Sequence, residues 1–105
     1  MISVRLYKTN TGATYGFEIK NHGKSVVCAA VSALAQNAVN SIEEFTGDKV
    51  VCDYDNSGGY LKFEHPALKA GDEARDASLL INSMVFGLSG IRDKYPGQIE
   101  IASAN

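Results

Sequence analysis

The chain has 105 residues, of which 45% are hydrophobic and 21% are charged, a composition typical of one globular domain and not of a disordered chain. Its net charge is −2 and its ten Lys and Arg residues are scattered, which excludes the basic field of a nucleic-acid-binding protein. No apolar run approaches the roughly 20 residues that span a membrane, and residues 1–6 lack the features of a signal peptide. We expect a single domain over residues 1–105 in the cytoplasm, without membrane or direct nucleic-acid contacts.

The first half of the chain predicts a hairpin followed by a helix. Apolar and polar residues alternate over residues 1–8 and 14–20, the pattern of half-buried strands. Apolar residues then recur at three and four positions as far as Phe45, which predicts an amphipathic helix of about 20 residues. Ser25 is a favourable N-cap for this helix and Gly47 a favourable stop.

The second half repeats this arrangement and adds a last strand. The predicted elements are strands over 49–54 and 60–65, a helix over 72–94 and a strand over 98–102. Gly87 and Gly90 weaken the second helix but permit close approach of another backbone. The order ββαββαβ predicts an α+β fold, a two-layer sandwich in which two helices cover one face of a mostly antiparallel sheet.

Cys28 occupies the third position of the first predicted helix. The first amides of a helix have no partners within it and carry about half a positive charge. A thiol at this place is expected to have a lowered pKa and to form the nucleophilic thiolate. The same amides could bind the oxyanion that forms when the thiolate attacks a carbonyl.

His22 precedes this helix by a short connection that contains Gly23. An imidazole within hydrogen-bonding reach of Cys28 could take up a proton and return it to a leaving amine. The alternative is structural: a cysteine on an apolar helix is usually a small buried hydrophobe, and a loop histidine is usually solvated. Spacing alone leaves both interpretations open.

Residues 16–36, and above all the string Val-Cys-Ala-Ala-Val-Ser-Ala at residues 27–33, resemble the bacterial ribosomal-processing cysteine proteases called Prp. The resemblance implies a cytosolic, homodimeric endopeptidase that uses no cofactor and removes an N-terminal extension from a large-subunit ribosomal protein. It also implies that Cys28 is the nucleophile and His22 the general base and acid.

Three departures from the family pattern accompany this resemblance. The family's glycine before the histidine is Asn21, its aspartate three residues before the cysteine is Ser25, and the loop between His22 and Cys28 is several residues shorter. Ser25 can cap the helix as aspartate does, but it cannot orient an imidazolium as a carboxylate would. The sequence therefore supports a Cys/His dyad, and Ser25 is a candidate to bind substrate or to orient the groups around Cys28.

Three further side chains are candidates for the site. Ser32 lies one helical turn after Cys28 and could contact substrate or bond back to its own helix. Cys52 and His65 fall on the second predicted hairpin, where Cys52 is expected to pack into the core and a second Cys/His pair is conceivable. No spacing among these residues matches a zinc site, so no metal is expected.

A second function remains compatible with the sequence. The short loop and the missing aspartate are also what a non-catalytic, ribosome-associated assembly or binding module with the same fold would show.

Overall fold

The structure is a computed structural model that describes residues 1–21, 25–55 and 59–104. Its strands and helices follow the predicted order, with one additional short helix. In chain order they are β1 Ile2–Lys8, β2 Thr14–Lys20, α1 Val26–Thr46, β3 Val51–Tyr54, β4 Tyr60–Glu64, α2 Pro66–Lys69, α3 Arg75–Lys94 and β5 Ile99–Ala104.

The five strands form one sheet in the order β3-β4-β2-β1-β5. The β1–β2, β2–β4 and β3–β4 pairs are antiparallel, whereas β5 runs parallel to β1 because α3 returns the chain to the starting end of β1. Ile2 pairs with Ile99 on one side, and Ser3 pairs with Lys20 on the other. The starts of β1 and β5 and the end of β2 therefore meet at one end of the sheet.

The core lies between one face of this sheet and the two long helices. The sheet contributes apolar residues at alternate positions, and Phe17 and Phe63 stack with ring centroids 5.4 Å apart. The most deeply buried helical residues are Val31, Ala35, Ile42, Ile81 and Leu88. The predicted α+β sandwich with both long helices on one face is confirmed.

The first helix has the predicted limits. Ser25 has an extended backbone before Val26, and Gly47 takes a left-handed conformation with φ 69° after Thr46. Glycine adopts this conformation without steric cost, which is why the helix ends there. Phe45, although it continues the apolar pattern, is 76% exposed, because it lies on the side of the helix that faces away from the sheet.

The second long helix is shorter than predicted. It begins at Arg75, so that Asp72 and Glu73 lie in the irregular segment before it. The predicted strand over 60–65 ends at Glu64, because His65 caps α2 and Pro66 begins it. Proline is well tolerated at a first helical position, where its missing N–H has no acceptor to satisfy.

The two glycines of α3 have different surroundings. A Cβ atom built on Gly87 would lie 2.9 Å from Leu34 Cδ1, whereas one on Gly90 meets nothing within 4 Å. The close approach at Gly87 therefore involves a side chain of α1, and not a backbone as predicted.

Alanine at Gly90 is expected to raise the free energy of unfolding by about 1 kcal/mol, because glycine disfavours helix. The free energy of unfolding of the Gly87→Ala protein should be about 1–2 kcal/mol lower than that of the Gly90→Ala protein, since Leu34 must move to make room for the added methyl group. Urea denaturation of both variants measures the difference, and equal stabilities would contradict the contact at Gly87.

The open face of the sheet carries alternating charges. Asp53, Lys62, Glu18 and Arg5 follow one another across four neighbouring strands, and opposite charges on adjacent strands stabilise a sheet. The Tyr60 hydroxyl donates to Glu18 Oε2 at 3.0 Å. Burial, together with this bond and the charge of Glu18, raises the pKa of Tyr60 to about 12. Charges of both signs thus neutralise each other along this row.

Within the ranges that the structure describes, no helix has both the length and the apolar character needed to cross a membrane.

Candidate active site

Cys28 is positioned by the cap at the start of α1. The Cys28 amide donates to Ser25 Oγ at 3.1 Å, and the Ala29 amide donates to the Ser25 carbonyl oxygen at 3.0 Å. These bonds place Cys28 at the third position of the helix, as the sequence predicts. Side chains of a helix lean toward its N-terminus, so the Cys28 side chain is directed toward the N-terminal end of α1.

The cap changes the set of amides that could bind an oxyanion. The Cys28 amide, which the sequence counted among the unpaired groups, is occupied by Ser25. In the part of the chain that the structure describes, the Val26 and Val27 amides have no acceptor. Backbone donors at this helix start are therefore these two amides and not that of the cysteine.

A small cavity of about 200 Å³ lies beside Cys28. Cys28 forms part of its wall, although the residue is only 7% exposed. The other lining residues come from the start of β1, the end of β2, the cap and the turn before β5: Met1, Ile2, Asn21, Ser25, Gly97 and Gln98. The sequence did not predict this cavity, because it depends on the parallel pairing of β1 with β5.

Asn21 closes β2 and leads into the connection that contains His22. Its φ of 65° is left-handed, and its amide donates to the Gly59 carbonyl oxygen at 3.1 Å. Asparagine tolerates this conformation better than most residues other than glycine. Asn21 can therefore make the turn for which the family pattern has glycine.

The other two members of the predicted site are His22 and Ser32. His22 lies outside the described residues, so its distance from Cys28 stays a prediction. Ser32 is half-buried one turn after Cys28 on the same side of α1.

Comparison with known proteins places this chain in a family. The family model described as cysteine protease Prp matches residues 1–100. The chain belongs to this family. It is therefore a cysteine peptidase, as the residues around Cys28 suggested.

Curated relatives in two bacteria support the assignment. The chain is 28% identical to the ribosomal processing cysteine protease Prp of Bacillus subtilis strain 168, over 98% of this chain and 97% of that protein. It is 30% identical to the protein of the same name from Staphylococcus aureus strain Mu50, over 76% of this chain and 72% of the relative.

Solved structures show the same fold. The Staphylococcus aureus processing protease Prp in complex with a covalently linked product peptide superimposes with a TM-score of 0.87, at 24% identity, over 99% of this chain and all of that one. A protein from Streptococcus mutans superimposes with a TM-score of 0.84 at 24% identity, over 98% of this chain and 96% of that one.

The second cysteine of this Prp-family chain does not pack into the core. Cys52 pairs with Phe63 across the sheet but is exposed, as is every residue of β3. The prediction was wrong because β3 is the edge strand, beyond the cover of the helices. In the described ranges, no group of three or more His, Cys, Asp or Glu side chains could hold a metal ion.

His65 is a buried structural residue. Its Nδ1 accepts from the Leu68 amide at 3.1 Å, and its Nε2 lies 2.9 Å from Asp48 Oδ2. Because Nδ1 accepts, the neutral ring carries its hydrogen on Nε2 and donates it to Asp48. Both ring nitrogens are thus engaged in holding α2 to the segment after α1, so the conceivable Cys52–His65 pair is not formed.

Cys52 provides a chemical contrast with a thiol at a helix start. Partial burial, followed by the carboxylates of Glu43 and Asp53, raises the pKa of the Cys52 thiol above its usual range. Only the thiolate is alkylated rapidly. In a Cys28→Ala variant, Cys52 is therefore expected to react with iodoacetamide more slowly at neutral pH than a free model thiol, with its rate rising at higher pH.

The Glu43→Gln change should shift this pH profile of Cys52 back toward that of the model thiol, since it removes one nearby negative charge. Mass spectrometry of the alkylated protein follows the rate. A Cys52 that reacts at neutral pH as fast as the model thiol would contradict the assigned environment.

Proposed function

We propose that this chain is a cytosolic endopeptidase that removes an N-terminal extension from a large-subunit ribosomal protein, as a homodimer and without a cofactor. The names of the relatives support ribosomal processing as the role. The observation that carries the proposal is the position of Cys28 on the wall of a cavity at the start of α1. Residues 1–105 would act as one catalytic domain. The neutralised open face of the sheet supports the absence of direct nucleic-acid binding.

The proposed reaction begins with proton transfer from the Cys28 thiol to His22. The thiolate attacks the scissile carbonyl carbon, an S–C bond forms, and the π electrons of the carbonyl move onto its oxygen. Collapse of this tetrahedral intermediate breaks the C–N bond, while His22 returns the proton to the leaving amine. Water then attacks the thioester with His22 as base, and the S–C bond breaks to release the acid product and the thiol.

Ser25 and Ser32 would support this chemistry in different ways. Ser25 holds the Cys28 amide and with it the first turn of α1, so we assign it an orienting role. We expect Ser32, one turn further along the same side of the helix, to contact substrate near the thiol.

The test is incubation of the purified protein with peptides that span the N-termini of large-subunit ribosomal proteins, followed by mass spectrometry. We expect one peptide to be cut at a single bond, and the protein to carry a thioester-linked fragment when the reaction is quenched early. If no such peptide is cut, the proposed function is wrong.

A further inference from the structure

We propose that the chain forms its homodimer through the outer face of α3, which packs antiparallel against the same face of a second copy. The outer face is the side of α3 that carries Leu79, Ser83 and Phe86. This inference deepens the proposed function, which includes a homodimer, and rests on that part of it. It adds the surface that is buried and the orientation of the second copy.

Two large apolar side chains stand on this outer face. The buried residues of α3 mark the opposite side, which faces the sheet: Ala77, Ile81, Met84 and Leu88. Leu79 is 67% exposed and Phe86 is 84% exposed. They are seven residues apart, which is close to two helical turns, so they lie on one face about 10 Å apart. Covering both side chains removes apolar area from water, which favours association.

A second copy matches this spacing when α3 packs antiparallel on itself. If a two-fold axis passes between Asn82 and Ser83, Leu79 of each copy lies opposite Phe86 of the other. A two-fold contact of this kind uses the same patch on both copies and closes as a dimer. The two exposed side chains are then covered in both copies by one contact.

The charges at the two ends of α3 complement each other in the same register. The helix has Arg75 and Asp76 in its first turn and Asp93 and Lys94 in its last turn, all of them exposed. Arg75 and Asp93 are 18 residues apart, which is five full turns, so they lie on one flank of the helix. Asp76 and Lys94 have the same spacing and lie together on the other flank.

In an antiparallel two-fold contact, matching flanks of the two helices meet. Arg75 then lies about 5 Å along the helix axis from Asp93 of the second copy, and Asp76 lies about 8 Å from Lys94. Side chains of a helix lean toward its own N-terminus, so in an antiparallel contact the two members of each pair lean toward each other. Each end of the interface therefore has two pairs of opposite charge.

A parallel contact would be repulsive, because each of these charges would lie beside its own copy. The charges are also available to a second copy. Among the residues that the structure describes, Arg75, Asp76 and Lys94 have no ion-pair partner within the chain, and Asp93 has only Arg92 at 3.5 Å. The pattern on α3 is thus complementary to itself in one orientation.

The first test is the dimer Kd, measured by sedimentation equilibrium. Phe86→Ala is expected to raise the Kd about 10²–10³-fold, because a central aromatic contact is lost twice in each dimer. The matched control is Phe45→Ala, which removes a phenylalanine that is 76% exposed near the end of α1 and should leave the Kd unchanged. Neither residue is buried, so both variants should fold, which circular dichroism verifies.

Charge reversal tests the orientation. Arg75→Glu brings a carboxylate beside Asp93 of the second copy and is expected to raise the Kd about tenfold. Adding Asp93→Arg to this variant restores a pair of opposite charge and should return the Kd close to the wild-type value. Both changes suit the helix dipole, so α3 should remain folded. A double variant that dimerises no better than Arg75→Glu overturns the inference.

Cross-linking gives a geometric readout in a protein whose Cys28 and Cys52 are both replaced by alanine. Position 83 lies next to the proposed axis, whereas the two copies of position 90 lie about 20 Å apart along it. A short bismaleimide should therefore join two chains that carry Ser83→Cys, but not two chains that carry Gly90→Cys. Efficient cross-linking through Gly90→Cys would indicate a parallel contact and overturn the inference.

The remaining outcomes separate the inference from the proposed function. A wild-type protein that stays monomeric overturns the inference together with the proposed homodimer, while peptide cleavage by that monomer leaves the proposed reaction intact. A wild-type dimer whose Kd is unchanged by Phe86→Ala, or is raised equally by Phe45→Ala, overturns the inference alone.

Discussion

Substitution of Cys28 by alanine is expected to lower peptide cleavage on the order of 10⁶-fold, to the background rate. The side chain is the only thiol on the wall of the cavity at the start of α1, among the residues described there. Without sulfur no thioester forms, and neither the amides of the first turn nor a general base can replace the nucleophile. Cleavage is measured by mass spectrometry of the product peptide.

The Cys28→Ser variant makes the same test with a smaller steric change. A hydroxyl at this helix start ionises far less readily than a thiol, so a substantial loss of cleavage is again expected. The matched control is Cys52→Ala, which removes the other thiol from an exposed edge strand and should cut at the wild-type rate. His22→Ala is expected to lose cleavage as well, because the proposed base is then absent.

Retained cleavage in Cys28→Ala would contradict the assignment of the nucleophile. Alkylation of the wild-type protein is a separate test of the same assignment. A Cys28 thiol that reacts with iodoacetamide no faster at neutral pH than a model thiol would remove the chemical reason for placing catalysis at this helix. It would favour the binding-module interpretation of the site that the sequence left open.

The position of the nucleophile could be predicted because it depends on local chemistry. Ser25 as the cap and Gly47 as the stop follow from rules that act within a few residues, and the structure has both. The position of the cap, Ser25, fixes where Cys28 lies within the first turn. The resemblance in residues 27–33 then supplied the reaction class.

The cavity could not be predicted in the same way. Asn21, Gln98 and the start of β1 line it. These residues are far apart in the sequence, and only the sheet order shows that they lie close together. The same limitation explains why the prediction that Cys52 packs into the core was wrong. An alternating pattern shows which residues share a face, but it does not show that β3 is at the edge, where that face has no helix above it.

The largest effect on stability is expected from alanine at Gly16. A Cβ atom built there would overlap the Phe63 carbonyl oxygen and lie 3.1 Å from Glu64 Cα. Both are backbone atoms of β4, which is paired with β2 at this position. Unlike the Leu34 side chain beside Gly87, they cannot move without displacing a strand in the middle of the sheet.

We expect Gly16→Ala to lower the free energy of unfolding by about 3 kcal/mol, at the upper end of overpacking effects. In a protein of this size the melting temperature would fall by more than about 10 °C. Thermal denaturation, monitored by circular dichroism, measures this fall in melting temperature. The control is Gly90→Ala, which adds the same methyl group where it meets no other atom. A melting temperature for Gly16→Ala equal to that of the wild type would mean that β2 and β4 do not approach this closely.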